Sequence, residues 1–401
     1  MKPRRPPLIP CDKCTGCSAC AQSCPADCIH MESDAEGFLY PVVDASACLN
    51  CYLCERICPV HQSESITYEV LKDTSDACAL ICSDPVLHQA VGSGGAFSLM
   101  ARRVLGAGGV VIGAAWTPDW LVEHVAVETW EEYACLCGTK YMQSNPGNTL
   151  QQTRDFLKTG RLVLFCGTGC QVAGLVSFLR KDYPNLVTVN IACYGAPSPG
   201  VWQRYLHDLQ NKYQLGTIES VQFRKKEGNS SLNMEVVGSR NTYRNYVYGD
   251  PYGWGLVNDV INRPSCENCL FKGAAARCDI TVGDAWGIES FDPAANPHLG
   301  ISVVVAHSSK GAELVDSLQG DCSYFRKLPL PGAIEQNMGI ICATNTHAGW
   351  RRTFFEHFSR GVSPMKTLQK LQRGSLWKRC INHGWFLMRQ LKKLARKLLR
   401  R

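Results

Sequence analysis

Two stretches set 34 residues apart, Cys14–Pro25 and Cys48–Pro59, constrain this chain more than anything else in it. The first reads CTGCSACAQSCP and the second CLNCYLCERICP. Each spaces its cysteines as C-x2-C-x2-C-x3-C and closes on proline. Three thiolates in such close register each take one iron of a single cubane. The fourth is carried off by the turn before the proline and reaches the neighbouring cubane. The spacing therefore assigns Cys14, Cys17, Cys20 and Cys58 to one 4Fe–4S cluster, and Cys48, Cys51, Cys54 and Cys24 to a second.

A lone C-x2-C also suits a zinc knuckle. Two full copies, each ending in Cys-Pro, leave little room for zinc or for disulfides. The pattern is that of a bacterial-type two-cluster ferredoxin domain, two similar halves that move electrons one at a time. Cys11 and Cys28 are extra to it and read as small buried thiols. The middle, CIHMESDAEGFLYPVVD, reads strand–turn–strand with the turn at Glu36-Gly37.

The chain has 23 cysteines in 401 residues. A disulfide framework of that density belongs to small secreted folds. The start, MKPRRPPLIPCDKC, has no apolar core of a signal peptide. Reduced thiols and cluster ligation point to a cytoplasmic setting. Charge is unevenly placed. Residues 366–401 carry twelve Lys and Arg and no acid, which outweighs the net +7, so the remainder carries −5. A mildly acidic body gives no reason to expect nucleic-acid binding.

Beyond residue 62 strands begin to alternate with helices, the mark of an α/β domain. Residues 62–87 read as a connection. A helix follows Gly92-Ser93-Gly94-Gly95, and strands fall at 110–116 and 121–129. RLVLF, CGTGC, QVAGLVSFLRKD and LVTVNIA make a β–turn–α–β unit over 161–193, expected to cross over right-handed. Residues 217–250 read as hairpins, with later strands at 279–282 and 300–307 and a helix at 311–318. The predicted organisation is an α+β two-cluster domain over 1–62, an α/β domain over 63–350 and a basic helical tail over 351–401.

Four of the remaining cysteines, Cys170, Cys193, Cys266 and Cys269, sit in Gly/Pro-punctuated loops, where α/β proteins place chemistry. A four-thiolate metal site is one reading of them, with Cys166 competing with Cys170. Cys78, Cys82, Cys135, Cys137, Cys278, Cys322, Cys342 and Cys380 read as structural. Ser93-Gly94-Gly95 offers backbone N–H groups at a helix start that suit a phosphate, or is simply a tight turn. Lys140, Tyr141, Gln143 and Ser144 offer a cation, a phenol and polar groups for an anionic or flavin ligand. No G-x-G-x-x-G dinucleotide fingerprint follows a strand.

In order, SGGAFSLMARRVLGAGGVVIGAAW, GTKYMQS, RLVLFCGTGCQVAGL, ACYGAPSP and CENCLFKGAAARCDITVGDAWGI resemble the coenzyme F420 hydrogenase/dehydrogenase beta-subunit family. That family frequently carries a two-cluster ferredoxin domain in front. The resemblance implies that the second domain binds FAD, with a third 4Fe–4S cluster held by Cys170, Cys193, Cys266 and Cys269. It places Ser93, Gly94 and Gly95 at the flavin, with Lys140, Gln143 and Ser144 lining its site. Gly283, Asp284 and Gly287 match a G-D-x-W-G turn near it. Two departures stand out: Gly169 replaces a proline and Tyr194 a histidine.

The implied activity is an iron–sulfur flavoprotein oxidoreductase. Electrons pass between the clusters and FAD, with hydride transfer to or from an organic substrate, coenzyme F420 or a polysaccharide-biosynthesis intermediate. The alternatives are a non-catalytic electron-transfer subunit feeding a redox partner protein, or a cluster-bearing sensor. In the tail, Trp377, Ile381, Trp385, Met388, Leu391, Ala395 and Leu398 form a helical stripe beside a basic face. It reads as a peripheral contact with the inner membrane face or as a protein contact.

Overall fold

The computed structural model describes residues 8–63, 76–272, 278–330, 332–337 and 348–374. The 34-residue repeat is written in the backbone. Helices α1 (Ala19–Gln22) and α2 (Leu53–Arg56) occupy the same place in each copy. Ahead of them Gly16 and Ser18 adopt positive φ, and so do their repeat equivalents Asn50 and Tyr52. Three of these four are not glycine, and the left-handed region costs such residues about 1–2 kcal/mol each. The turns in return aim backbone N–H groups at sulfur, as Asn50 N does at Cys48 Sγ (3.4 Å). Between the copies, β1 (Ile29–Ser33) and β2 (Leu39–Val43) pair antiparallel, from Ile29↔Val43 to Ser33↔Leu39. The expected turn is closed by Asp34 Oδ1, which accepts from the backbone of Glu36 and Phe38. Helix α3 (Pro59–Ser63) follows the last cysteine.

The rest is built on an eight-stranded mixed sheet, with β3 (Asp76–Cys82), β4 (Val110–Trp116), β5 (Val122–Val127), β6 (Val163–Thr168) and β7 (Leu186–Ile191). A separate antiparallel meander comprises β8 (Ile218–Glu227), β9 (Ser230–Gly238) and β10 (Thr242–Tyr246). The large sheet is completed by β11 (Ile280–Asp284), β12 (Ser302–Ala306) and β13 (Cys322–Leu328). Its order is β13-β3-β12-β11-β7-β6-β4-β5. The four strands β11, β7, β6 and β4 run parallel, and the outer pairings are antiparallel.

Helices α4 (Pro85–Ala90) and α5 (Ala96–Gly106) precede β4, and α6 (Thr149–Lys158) precedes β6. The crossover α7 (Gly169–Leu179) joins β6 to β7, as the β–α–β pattern predicted. Then come α8 (Pro199–Tyr213), α9 (Pro251–Val257), α10 (Ser309–Asp316), α11 (Ala348–Ser359) and α12 (364–374).

One expectation is corrected. Residues 62–87 are not all connection, because they contain β3, an interior strand between β12 and β13. Ala77, Cys78, Ala79, Leu80 and Cys82 are all buried, so the run lacks the alternation that marks a half-exposed strand. Helices α6 and α8 and strand β13 also lie outside the expectations above.

The two-cluster unit shares its core with the sheet domain. Ala19 and Ile57 pack into the apolar cluster of Val163, Val172 and Leu175 beneath α7. Phe38 and Tyr40 join the aromatic core around Trp202, Tyr205, Phe223 and Tyr252. At the hairpin tip, Gly200 N donates to Gly37 O (3.4 Å) and Ser198 Oγ to Glu36 O (2.5 Å). The Glu36 carboxylate pairs with Arg351 of α11.

Candidate electron-transfer site

Two cavities open inside the two-cluster unit. The first is lined by Cys14, Cys17, Cys20 and Cys58, with Leu8, Ile9, Met31 and Val60 as apolar wall. The second is lined by Cys24, Cys48, Cys51 and Cys54, together with Cys28. Cys54 lies on the wall of both. The fourth cysteine of each motif lies on the other copy's cavity. Burial pushes the Cys17 thiol up to about 12, with Cys58, Cys14 and Cys170 close enough to add to it. Burial, then Cys17, Cys14 and Cys58, raise Cys20 well above the ordinary thiol range. Iron must displace those protons.

The cavities suit cubanes. Backbone N–H groups of Ala19, Ala21 and Val60 point at Cys17, Cys20 and Cys58. Ser18 Oγ and His61 Nε2 are buried on the first cavity without a hydrogen-bond partner among the described residues. Among the described residues, no three His, Cys, Asp or Glu side chains converge tightly enough for a single ion. A tetrahedral zinc with 2.3 Å bonds would draw its sulfurs to about 3.8 Å. Thiolates on separate irons of a cubane stand further apart.

A third set assembles at the carboxyl ends of the parallel strands, where open α/β sheets place their sites. Cys170 opens α7 straight after β6. Its helix is capped by Thr168, and Thr168 Oγ1 lies 3.2 Å from Cys170 Sγ. Cys193 follows β7 by two residues. Cys266 ends a 3-10 turn and accepts from Ala196 N (3.4 Å). Burial raises the Cys193 thiol, and the neighbouring Cys266, Cys170 and Cys269 add to it. Burial pushes Cys170 to about 11, with Cys269 next in effect, and Cys266 to about 12. Cys166 is excluded from the set. It points into the core between β6 and α5, and burial alone raises it.

Gly169, where the family motif has proline, explains itself here: a Cβ on it would meet Phe271 O at 2.2 Å, so the Cys269 loop lies directly on α7. Tyr194, in the place of histidine, is 41% exposed, with its carbonyl accepting from Lys272 (3.2 Å). The third set adjoins the first cavity through α7. A Cβ on Gly174 would meet Cys17 Cβ at 2.8 Å and Sγ at 3.0 Å.

Residues 160–326 match the family described as the C terminus of the beta subunit of coenzyme F420 hydrogenase/dehydrogenase. Residues 13–61 match the 4Fe-4S dicluster domain. One solved structure, the F420-reducing NiFe hydrogenase complex from Methanosarcina barkeri, aligns with 19% identity and a TM-score of 0.44, covering 74% of this chain and 90% of its own. No curated protein matches significantly. The chain is therefore an iron–sulfur, oxidoreductase-like electron-transfer protein related to the F420 hydrogenase beta subunit.

The residues expected at a flavin divide into two groups. Lys140 Nζ donates to the carbonyls of Leu136, Cys137 and Gly138. Gln143 bridges Thr15 O and Arg263. Ser144 sits in a buried network with His124 Nδ1 (3.0 Å) and Gln171 Nε2 (2.9 Å). These three have internal partners. The second group converges on one place. Gly94 N donates to Ser302 Oγ (2.9 Å), and Ser302 pairs across β12–β11 with Asp284. Ser93 Oγ donates to Ile301 O, while Lys226 Nζ takes up Ser93 O (2.7 Å). Arg224 holds Asp284 Oδ2 at 2.5 Å, leaving buried Oδ1 without a partner among the described residues. Gly95 caps α5 and Gly287 turns the chain after Gly283-Asp284, both at positive φ.

Three features carry no sequence signal that would single them out: Arg263, the His124–Ser144–Gln171 network, and the pair Arg224–Lys226 from the meander. Of the two cysteines read as small buried thiols, Cys28 is buried, 3.4 Å from Cys24 Sγ and in contact with Cys48, whereas Cys11 is exposed. No helix among the described residues is long and apolar enough to cross a membrane. The amphipathic stripe at 377–398 lies outside the described residues.

Proposed function

We propose that the chain is a flavin-dependent oxidoreductase in which three thiolate sets form one relay. The outer set is Cys24, Cys48, Cys51 and Cys54, the inner set Cys14, Cys17, Cys20 and Cys58. The third is Cys170, Cys193, Cys266 and Cys269, holding its own 4Fe–4S cluster. The observation that carries this reading is the contact of Cys17 with α7 at Gly174, one turn from Cys170. It supports an order in which the inner set stands between the other two.

FAD would lie where Ser93, Gly94, Gly95, Gly283, Asp284 and Gly287 meet Arg224 and Lys226, with Lys140, Gln143 and Ser144 framing that place. Two features support the location. Asp284 is held by Arg224 through Oδ2 and keeps a buried Oδ1 without a partner among the described residues, suited to a donor on a ligand. Ile191 and Val282 are register partners on adjacent parallel strands, so Cys193 and Asp284 leave the sheet side by side. When bound, clusters carry single electrons and a flavin exchanges them for a hydride pair, which an organic substrate would receive or supply.

Anaerobic purification with iron, sulfide and flavin quantification tests this. About twelve irons and one flavin per chain are expected for three cubanes, and eight irons without flavin would overturn it. A second reading, a non-catalytic subunit feeding a redox partner, is favoured by the beta-subunit description of the matched family. Turnover of an artificial acceptor, with none of F420, nicotinamide or nucleotide-sugar substrates, would select it.

A further inference from the structure

Arg263 is a buried cation, 1% exposed, whose described partners are all neutral. Nε donates to Cys14 O (2.7 Å), Nη1 to Gln143 Oε1 (2.9 Å) and Nη2 to Leu39 O (2.9 Å). Nη2 also reaches Cys14 Sγ at 3.8 Å. The guanidinium lies over Tyr40, 4.1 Å from the ring centroid, with Phe38 at 5.4 Å. No carboxylate is among these partners. The other buried arginine, Arg224, by contrast pairs with Asp284. A buried charge without an opposite charge costs several kcal/mol, so this one calls for an anion.

The anion is supplied by what the neighbouring thiols hold. A 4Fe–4S cluster on four thiolates is anionic, and reduction adds one electron and one more negative charge. We propose that Arg263 is the fixed counter-ion of the cluster on Cys14, Cys17, Cys20 and Cys58 and raises that cluster's reduction potential above that of its outer twin. A permanent positive charge beside a ligand sulfur favours the reduced form, and exclusion of water by Tyr40 and Phe38 strengthens the effect.

The repeat itself shows the asymmetry. Asn50 N bonds Cys48 in the outer set, where the arginine at hand, Arg56, is exposed and donates to the Cys51 carbonyl (3.2 Å), whereas Arg263 is buried and reaches the Cys14 sulfur as well. The same residue also serves the third set through its backbone, since Cys266 N donates to Arg263 O (3.0 Å). Its side chain grips one site while its carbonyl starts the loop of another. Arg263 is a positioning and potential-setting residue rather than a catalytic one. The inference rests on the two-cluster assignment of residues 13–61 and stands whether or not the third set holds iron.

The test is a reductive titration of the anaerobically purified full chain, followed by the spectrum of each reduced cluster. Arg263→Gln keeps hydrogen bonding and removes the charge. Arg263→Lys keeps the charge and loses the fork. With Arg263→Gln, one ferredoxin-type midpoint is expected to move to more negative potential while the other stays. With Arg263→Lys both stay near the wild-type values. Loss of iron in the Gln variant with retention in the Lys variant also supports a counter-ion. Unmoved midpoints in an iron-replete Gln variant would overturn the proposal. So would equal shifts in both variants, or equal loss of iron from both. Wild-type iron content, measured on the same samples, reports separately on the third cluster.

Discussion

Gly174→Ala puts two opposing magnitudes in direct competition. Gly174 lies inside α7, where replacing glycine with alanine gains about 1 kcal/mol of helix propensity. The added methyl would stand 2.8 Å from Cys17 Cβ and 3.0 Å from its sulfur, inside van der Waals contact. Overpacking of this kind costs about 1–3 kcal/mol when the neighbour cannot yield. Whether Cys17 can yield depends on iron. In the metal-free chain rotation clears the sulfur and the 14–20 loop can give the few tenths of an ångström that Cys17 Cβ needs, so gain and cost nearly cancel. With the sulfur tied to a cluster the loop moves as a unit, and the cost prevails. The expected result is a variant close to wild type without iron and destabilised by about 1–2 kcal/mol when loaded. Anaerobic denaturant unfolding followed by far-ultraviolet circular dichroism, run on both forms, reads this as a shift of midpoint at constant slope. A loaded variant more stable than wild type by about 1 kcal/mol, as at an open helix position, would refute the contact between α7 and the inner cluster.

Asp250→Ala should cost roughly 3–5 kcal/mol. It removes the shared acceptor of Tyr205 OH (2.8 Å) and Tyr243 OH (2.7 Å) and the cap of α9 in one step, and thermal unfolding should show it. Burial depresses His124 to about 4, while the unfolded side chain titrates near 6.5. The unfolded state therefore binds the extra proton between those values. Its contribution is complete above pH 6.5 and is lost as pH falls towards 4, by up to about 3 kcal/mol. His124→Gln should flatten the stability–pH slope by about one proton in that window. Cys28→Ala should leave iron content unchanged and Cys24→Ala should lower it, with the reverse result reassigning the fourth ligand of the outer cluster.

Much of the site was legible because its chemistry fixes short spacings. The two motifs needed only local register, and the fold obeys them down to the matched left-handed residues of each copy. The β–α–β unit was legible because its apolar runs and glycine turns are local as well. The choice between Cys166 and Cys170 was not, since it depends on which way β6 faces once the sheet has formed. Strand β3 was hidden by burial on both faces, which erases alternation. Lys140, Gln143 and Ser144 looked like ligand contacts because polar residues near glycine suit many roles. Gln143 and Ser144 take arginine and histidine partners from elsewhere in the tertiary structure, while Lys140 turns back on the carbonyls of Leu136, Cys137 and Gly138. Arg263 belongs to no motif. Its meaning arises only when Cys14 and Tyr40, more than 200 residues away, close around it.

The hairpin between the two repeats has its tip seated against the start of α8, backbone on backbone, with the Glu36–Arg351 pair beside it. A module fastened in this way cannot act as a swinging carrier. On the proposed relay, transfer from the inner cluster onward is expected to be first order, indifferent to dilution and to glycerol in the buffer. Only the meeting of an external donor with the rim around Leu49 and Cys51, both exposed, should slow as solvent viscosity rises.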